Sequence, residues 1–368
     1  MGRWLTRAAI SRFAKATAGV LAATVVLFFV VEGLASTIVV GRVVADGFQS
    51  LGDRSHSRYD AELGWVNMTR ASVPDMYGPG ISLVTNAQGF RNERDTDRAV
   101  PQGRTRVLCS GDSFTLGVGV STRDAWCNAL ERIDPRIDAV NMGQGGYGVD
   151  QAYLWYLRDA AAIDYQVHVF AFIATDFERM RNDTFLGYGK PTLAIEDGAL
   201  VVGNTPVPYR TTTDVKRRAI FQTVSSFRVV QLLQSFGGPP KPELAPAGNA
   251  ADPLRPVVDA VITSIAQENA RRKSRLLFVF LPTRDDYDRS IADGWRHFVR
   301  AVAERERVPF VDLVERLRAL PVAQIDAFFL RPGDVPYGHA EGHYSVRGNE
   351  FVSRTLYEYL GPLMPVAR

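Results

Sequence analysis

Residues 105–120, TRVLCSGDSFTLGVGV, decide the fold. Thr105 to Ser110 form a short apolar run of strand type that passes directly into Gly111-Asp112-Ser113 and a glycine-rich turn. A serine so placed follows the carboxyl end of a strand, where open parallel sheets bind ligands. Asp112 and Phe114 flank it, so this is not the G-x-S-x-G elbow of α/β-hydrolases. Four further runs repeat the strand pattern: IDAVNM (137–142), VHVFAFI (167–173), LLFVFL (276–281) and VPFVDL (308–313). Helical periodicity between and after them predicts helices over about 121–133, 149–162, 257–272, 290–307 and 346–360. Strands apolar on both faces, alternating with helices, imply an α/β fold with a parallel sheet covered on two sides.

The 368 residues, 46% hydrophobic and 23% charged, suffice for a large core, whether in one domain or two. The formal net charge is only +3 and the basic residues are scattered, so no nucleic-acid partner is expected. Arg3, Arg7, Arg12 and Lys15 precede an apolar stretch over about 16–40 that is broken only by Glu32 and is long enough to span a bilayer. Basic residues on its N-terminal side predict a cytoplasmic N-terminus over 1–15 and export of everything after the span. A cleaved signal peptide ending near Gly33-Leu34-Ala35 is the alternative, and it also exports the remainder. Cys109 and Cys127 are the two cysteines; an oxidising compartment permits them to pair, and a buried unpaired Cys109 is the other reading.

Residues 41–103 read as a lead-in that packs on the main domain of 104–365. The alternation breaks over about 183–256, an insertion expected to border the active site. It opens with a hairpin around Asp197-Gly198, continues through a helix near 216–235, and ends in the Gly/Pro-rich loop of 237–253.

A serine hydroxyl needs a base within hydrogen-bond reach. Of five histidines, His168 falls in a strand, His297 in a helix and His56 in the lead-in; His339 and His343 lie in YGHAEGHYSVRGNEFVSRTLYEYL, ahead of the last helix. His343 follows Glu341 by two residues, which offers a serine, a histidine and an acid for acyl transfer.

These blocks resemble the SGNH (GDSL) hydrolase superfamily. Ser113 in GDSF matches the nucleophile block, Gly146 in NMGQGGYG matches the oxyanion glycine, and Glu341-Gly342-His343 matches the usual Asp-x-His. Ala174-Thr175-Asp176 stands where the family has Gly-Asn-Asp, so Thr175 replaces an oxyanion asparagine. AELGWVN (61–67) and SLVTNAQGFRNE (82–93) resemble the lead-in of membrane-anchored bacterial members. The resemblance implies a flavodoxin-like sheet of five parallel strands in the order 2-1-3-4-5 within three α/β/α layers. It also implies a Ser113-His343-Glu341 triad, with Ser113, Gly146 and Thr175 lining the oxyanion hole. Asp112 and Asn141 are then turn-forming residues, Asp176 shapes its loop, and Asn182 is a candidate substitute donor. Loss of one oxyanion donor costs about 100- to 1000-fold in turnover, so Thr175 leaves a weakly catalytic glycan-binding module as a rival to an esterase or O-acetyltransferase. An acylated small molecule or carbohydrate is the expected substrate, with no cofactor and no metal. Gly143-Gln144-Gly145-Gly146-Tyr147-Gly148 also satisfies the dinucleotide pattern G-x-G-x-x-G, a reading that leaves the serine and histidine blocks unexplained.

Overall fold

The computed structural model describes residues 7–45, 56–210 and 248–364, with isolated positions at 214, 232, 233 and 236. Its contacts divide the chain into two units, residues 1–50 with 210–244, and residues 51–209 with 245–368. The first contains α1 (Arg7–Ala45), a 39-residue helix. Within it, Lys15–Ile38 has a mean hydropathy of 2.2 over its most apolar window, long and apolar enough to cross a membrane. The helix expected near 216–235 and most of the Gly/Pro-rich loop lie outside the described residues.

The second unit is built on five strands: β1 (Thr105–Gly111), β2 (Ile137–Gly143), β3 (Val167–Phe172), β4 (Arg275–Phe280) and β5 (Phe310–Asp312). They form one sheet in the order β5-β4-β3-β1-β2, all parallel. This is the expected 2-1-3-4-5 order read from the other edge. Alternate side chains of each strand serve opposite faces. Val107, Cys109, Val167, Val169, Leu277 and Val279 belong to one core cluster, and Trp126 and Leu130 of α3 (Trp126–Ile133) join it there. So do Val352 and Leu356 of α8 (Val346–Leu360). Each such buried aliphatic side chain contributes roughly 1.5–3 kcal/mol. The opposite face presents aromatic rings. His168 stacks on Tyr156 of α4 (Val149–Asp159). Phe172 and Phe280 meet Phe177 of α5 (Ala174–Arg179), which stacks on Trp295 of α7 (Asp293–Arg305). Between α5 and α7 in sequence comes α6 (Arg255–Arg272), whose Asn269 bonds His168. His168 is thus a core residue: burial pushes its pKa down to about 3, and Ser110 and Asn269 occupy its two nitrogens.

In the lead-in, Ser57–Asp60 pairs with Gly64–Asn67 and Ser72–Gly78 with Ile81–Val84, both antiparallel. The insertion hairpin pairs Thr192–Glu196 with Ala199–Gly203, and Asp197 and Gly198 take the positive φ values (50° and 79°) that a two-residue turn requires. Helix positions follow the expected ones closely; the first splits at Ala125 into Thr122–Asp124 and α3 because Ala125 is extended.

Cys109 in β1 and Cys127 in α3 are joined by a disulfide with Cα atoms 6.3 Å apart, which settles the two open readings in favour of pairing. The bridge closes a loop of 18 residues, and a loop near that length corresponds to about 3 kcal/mol of lost unfolded-state entropy. Replacing both cysteines with alanine is therefore expected to lower unfolding free energy by about 2–4 kcal/mol in chemical denaturation. Unchanged stability would mean that the bridge does not form in solution.

Candidate active site

The chain can turn abruptly after β1 because two glycines leave room. A Cβ on Gly143 would lie 2.0 Å from the Leu116 amide nitrogen, and one on Gly111 would lie 2.7 Å from the Ala171 carbonyl oxygen. The short helix α2 (Ser113–Leu116) therefore rests directly on the strand ends. Asp112 caps it by accepting from the Phe114 amide at 2.9 Å, and Gly117 ends it at φ 83°. Behind it, Arg91 is fully buried and donates to the carbonyls of Leu116, Gly117 (2.5 Å) and Val120 (2.5 Å). Asn141, also fully buried, donates to the Thr115 carbonyl at 2.9 Å and accepts from the Gly143 amide at 2.9 Å. Both Asp112 and Asn141 are turn-forming, as expected from the sequence.

Ser113, 6% exposed, has its Oγ 2.8 Å from Nε2 of His343, across 230 residues of sequence. The histidine loop is anchored where Tyr344 donates to the Pro282 carbonyl just beyond β4 (2.6 Å), and where the Leu330 amide donates to the His343 carbonyl (2.8 Å). Phe114 stacks on the imidazole with centroids 4.7 Å apart. Ser345 caps α8 immediately afterwards. Burial pushes the His343 pKa below its ordinary 6.5; Asp112 opposes this and Arg179 adds to it. A neutral imidazole at this distance can take the serine proton as the oxygen attacks a carbonyl carbon. His339 is exposed and stands against Tyr337.

Glu341 departs from the expected arrangement. It is exposed, at the end of the short 3-10 turn Gly338–Ala340, and its carboxylate makes no hydrogen bond to the His343 ring. Nδ1 of His343 is buried without a hydrogen-bond partner, facing the backbone of Ala340 and Glu341. Orientation of the ring thus comes from Phe114 and the loop backbone.

Gly146 has φ 79°, and its backbone N–H has no acceptor among the described residues. The lead-in supports this turn: Trp65 donates to the Gly145 carbonyl at 2.9 Å and Tyr147 donates back to the Trp65 carbonyl at 2.5 Å. From the insertion, Phe185 lies so close that a Cβ on Gly146 would come within 2.5 Å of its ring. Thr175 opens α5 exposed, with no side-chain hydrogen bond among the described residues, and Asn182 is exposed as well. Asp176 accepts from the Ile173 amide at 3.0 Å, closing its own turn as expected.

Sequence reasoning passed over Arg179. Its Nη1 donates to Asp176 Oδ1 at 2.5 Å, to the Tyr147 carbonyl at 2.9 Å and to Asp112 Oδ2 at 3.4 Å. Burial, and then the charge of Asp112, push the Asp176 pKa well above the usual carboxylate range. The available signal was spacing, since residue 179 lies one helical turn beyond residue 175.

The dinucleotide reading fails on sterics and charge. The carboxylate of Asp150 fills the first turn of α4, accepting from the Gln151 amide at 2.8 Å, and it is paired with fully buried Lys190. Pyrophosphate would meet that carboxylate instead of free N–H groups. Among the described residues no group of three or more His, Cys, Asp or Glu side chains could hold a metal ion.

No protein-family model matches the chain, and no curated protein does. Among solved structures it is similar to TesA (12% identity, TM-score 0.41, covering 71% of this chain and 100% of that one). A lipase/acylhydrolase from Enterococcus faecalis shows a like similarity (12% identity, TM-score 0.41, 72% and 100% covered). So does an acetylxylan esterase from Geobacillus stearothermophilus (15% identity, TM-score 0.39, 73% and 100% covered).

Lys190 and Asp150 carry the insertion's attachment to the start of α4, and both side chains are fully buried. Removing one partner of such a pair strands a buried charge at a cost of about 3–5 kcal/mol. Lys190→Met is thus expected to destabilise strongly, and Lys190→Met with Asp150→Leu to recover much of the loss. Additive losses in a double-mutant cycle would show that the two charges do not interact.

Proposed function

We propose that this chain is a serine esterase of the SGNH type, acting on acyl esters through Ser113 and His343. The observation that carries the reading is the 2.8 Å approach of a nearly buried serine hydroxyl to an imidazole whose basicity burial has lowered. In the reaction, His343 Nε2 accepts the Ser113 proton as Oγ bonds to the ester carbonyl carbon. The negative charge that develops on the carbonyl oxygen is received by the backbone N–H groups of Ser113 and Gly146. Collapse of the tetrahedral species breaks the bond to the alcohol, which leaves with the proton held by His343. Water, deprotonated by the same imidazole, then attacks the acyl-enzyme and releases the carboxylic acid. A sugar hydroxyl in place of water makes the same site an O-acyltransferase.

The substrate class we favour is O-acetyl esters of envelope or exported carbohydrate, met by a domain held outside the cytoplasm by α1. Three features support that placement: a helix of spanning length, basic residues before it, and a disulfide, which persists in oxidising compartments. The roles of Glu341 as orienting acid and Thr175 as third oxyanion donor would require both side chains to move on substrate binding. Their exposed positions favour the rival reading, a glycan-binding module with weak turnover.

Reaction with a fluorophosphonate probe separates the two: full-length protein in detergent is expected to label, and Ser113→Ala to label not at all. His343→Ala is expected to lower kcat on a short acyl ester by about 1000-fold or more. Wild-type protein that resists the probe while binding an acetylated glycan would establish the module instead.

The depressed pKa of His343 sets the pH dependence. The base is active when neutral, so activity is lost only as pH falls through the folded value, which lies below the ordinary 6.5. The acid limb of kcat/KM is therefore expected below pH 6.5; a limb above it would contradict the burial argument.

A further inference from the structure

Arg179 touches every wall of the site except the histidine loop, yet the mechanism above gives it no part. One nitrogen, Nη1, reaches the Asp112 carboxylate beside Ser113, the Tyr147 carbonyl beside Gly146, and the Asp176 carboxylate in the first turn of α5. Its guanidinium carbon lies 5.3 Å from the centroid of Phe185, the ring packed on Gly146. Residues 175 and 179 are four apart on α5 and share a face, and long helical side chains lean toward the N-terminus. The arginine therefore reaches back over the helix start, where Thr175 contributes no hydrogen bond among the described residues.

We propose that Arg179 is a positioning residue for the Ser113 reaction, joining the nucleophile turn to the oxyanion turn and directing the serine proton to His343 instead of Asp112. The inference rests on the esterase reading for its kinetic consequences. The chemistry follows from competition for one proton. Ser113 Oγ lies 2.8 Å from His343 Nε2 and 3.3 Å from Asp112 Oδ2, and a hydroxyl can donate to one of them at a time. An uncompensated buried carboxylate would be the stronger acceptor. Arg179 draws on that same Oδ2, so the imidazole becomes the better partner. Burial and the Asp112 charge disfavour the ionised form of the second carboxyl, Asp176, which shares the same guanidinium.

The electrostatics about His343 are simple enough to test by sign. Asp112 from the nucleophile turn and Arg179 from α5 are the charged groups that act on it; Phe114 from α2 is uncharged; Glu341 and His339 lie exposed on its own loop. Removing Arg179 leaves the Asp112 charge unopposed and favours imidazolium. Arg179→Met is expected to lower kcat about 10- to 100-fold with KM nearly unchanged, and to move the acid limb up by about one pH unit. Arg179→Lys, which keeps the charge without the planar fork, is expected to restore the limb but only part of kcat. Asp112→Asn keeps the helix cap and removes the anion, so the limb is expected to move down.

Proton NMR titration of the full-length protein in detergent reads the same His343 pKa without any turnover, with the resonance assigned by its absence in His343→Ala. An upward move in Arg179→Met and a downward one in Asp112→Asn support the control of His343 by Arg179 and Asp112 even if the probe fails to label the wild type, an outcome that would sink the esterase reading and the kinetic consequences drawn from it. Unmoved His343 titration in both variants overturns it, as does a fall in kcat with the acid limb in place. If Arg179→Met does not fold, the Asp112→Asn titration decides.

Discussion

The absence of side chains at residues 111 and 143 is the constraint on which this molecule turns. Backbone from α2 lies where a methyl group on Gly143 would stand, and the Thr115 side chain and β3 backbone crowd the same place on Gly111, so the helix carrying Ser113 sits against the ends of β1 and β2 with no gap to adjust. That contact fixes the height of the hydroxyl above the sheet. It also explains the buried groups behind the turn, because Arg91 and Asn141 satisfy the carbonyls that so tight a bend leaves without helical partners. Both are costly to bury, and several hydrogen bonds each offset that cost.

Much of this was legible in the sequence because the signals are local. Five apolar runs, the glycine-bounded serine turn and the amphipathic last helix each announce themselves within a dozen residues, and the sheet order came from the family resemblance those blocks carry. Elimination among five histidines left His339 and His343 as partners for Ser113, and the spacing from Glu341 with the family resemblance pointed to His343. What stayed hidden was set by tertiary burial. Whether Glu341 meets the imidazole depends on the path of a loop, which here leaves the carboxylate exposed. Arg179 carries no motif at all; only the convergence of three chain segments on one nitrogen gives it meaning. The cysteines were similarly undecided, since a separation of 18 residues says nothing about whether a strand and a helix present their β-carbons to each other.

The lead-in and the insertion, which look peripheral in sequence, share the support of one turn. Trp65 from before the sheet and Phe185 from after β3 stack at 6.0 Å, and both press on residues 145–146. The Gly146 N–H has no acceptor among the described residues, so this turn is held by the bracing of Trp65, Tyr147 and Phe185 and not by its own hydrogen bonding. Separate segments therefore converge on one amide, and the site is a property of the whole second unit.

Cys109, four residues upstream of Ser113, is bridged to Cys127, which ties β1 to a helix on the face of the sheet. A chain made in a reducing cytosol and one matured in an oxidising space are thus distinct covalent species, differing by two hydrogens on the strand that leads into Ser113. Material prepared by either route has a redox history, and that history is part of its chemical identity.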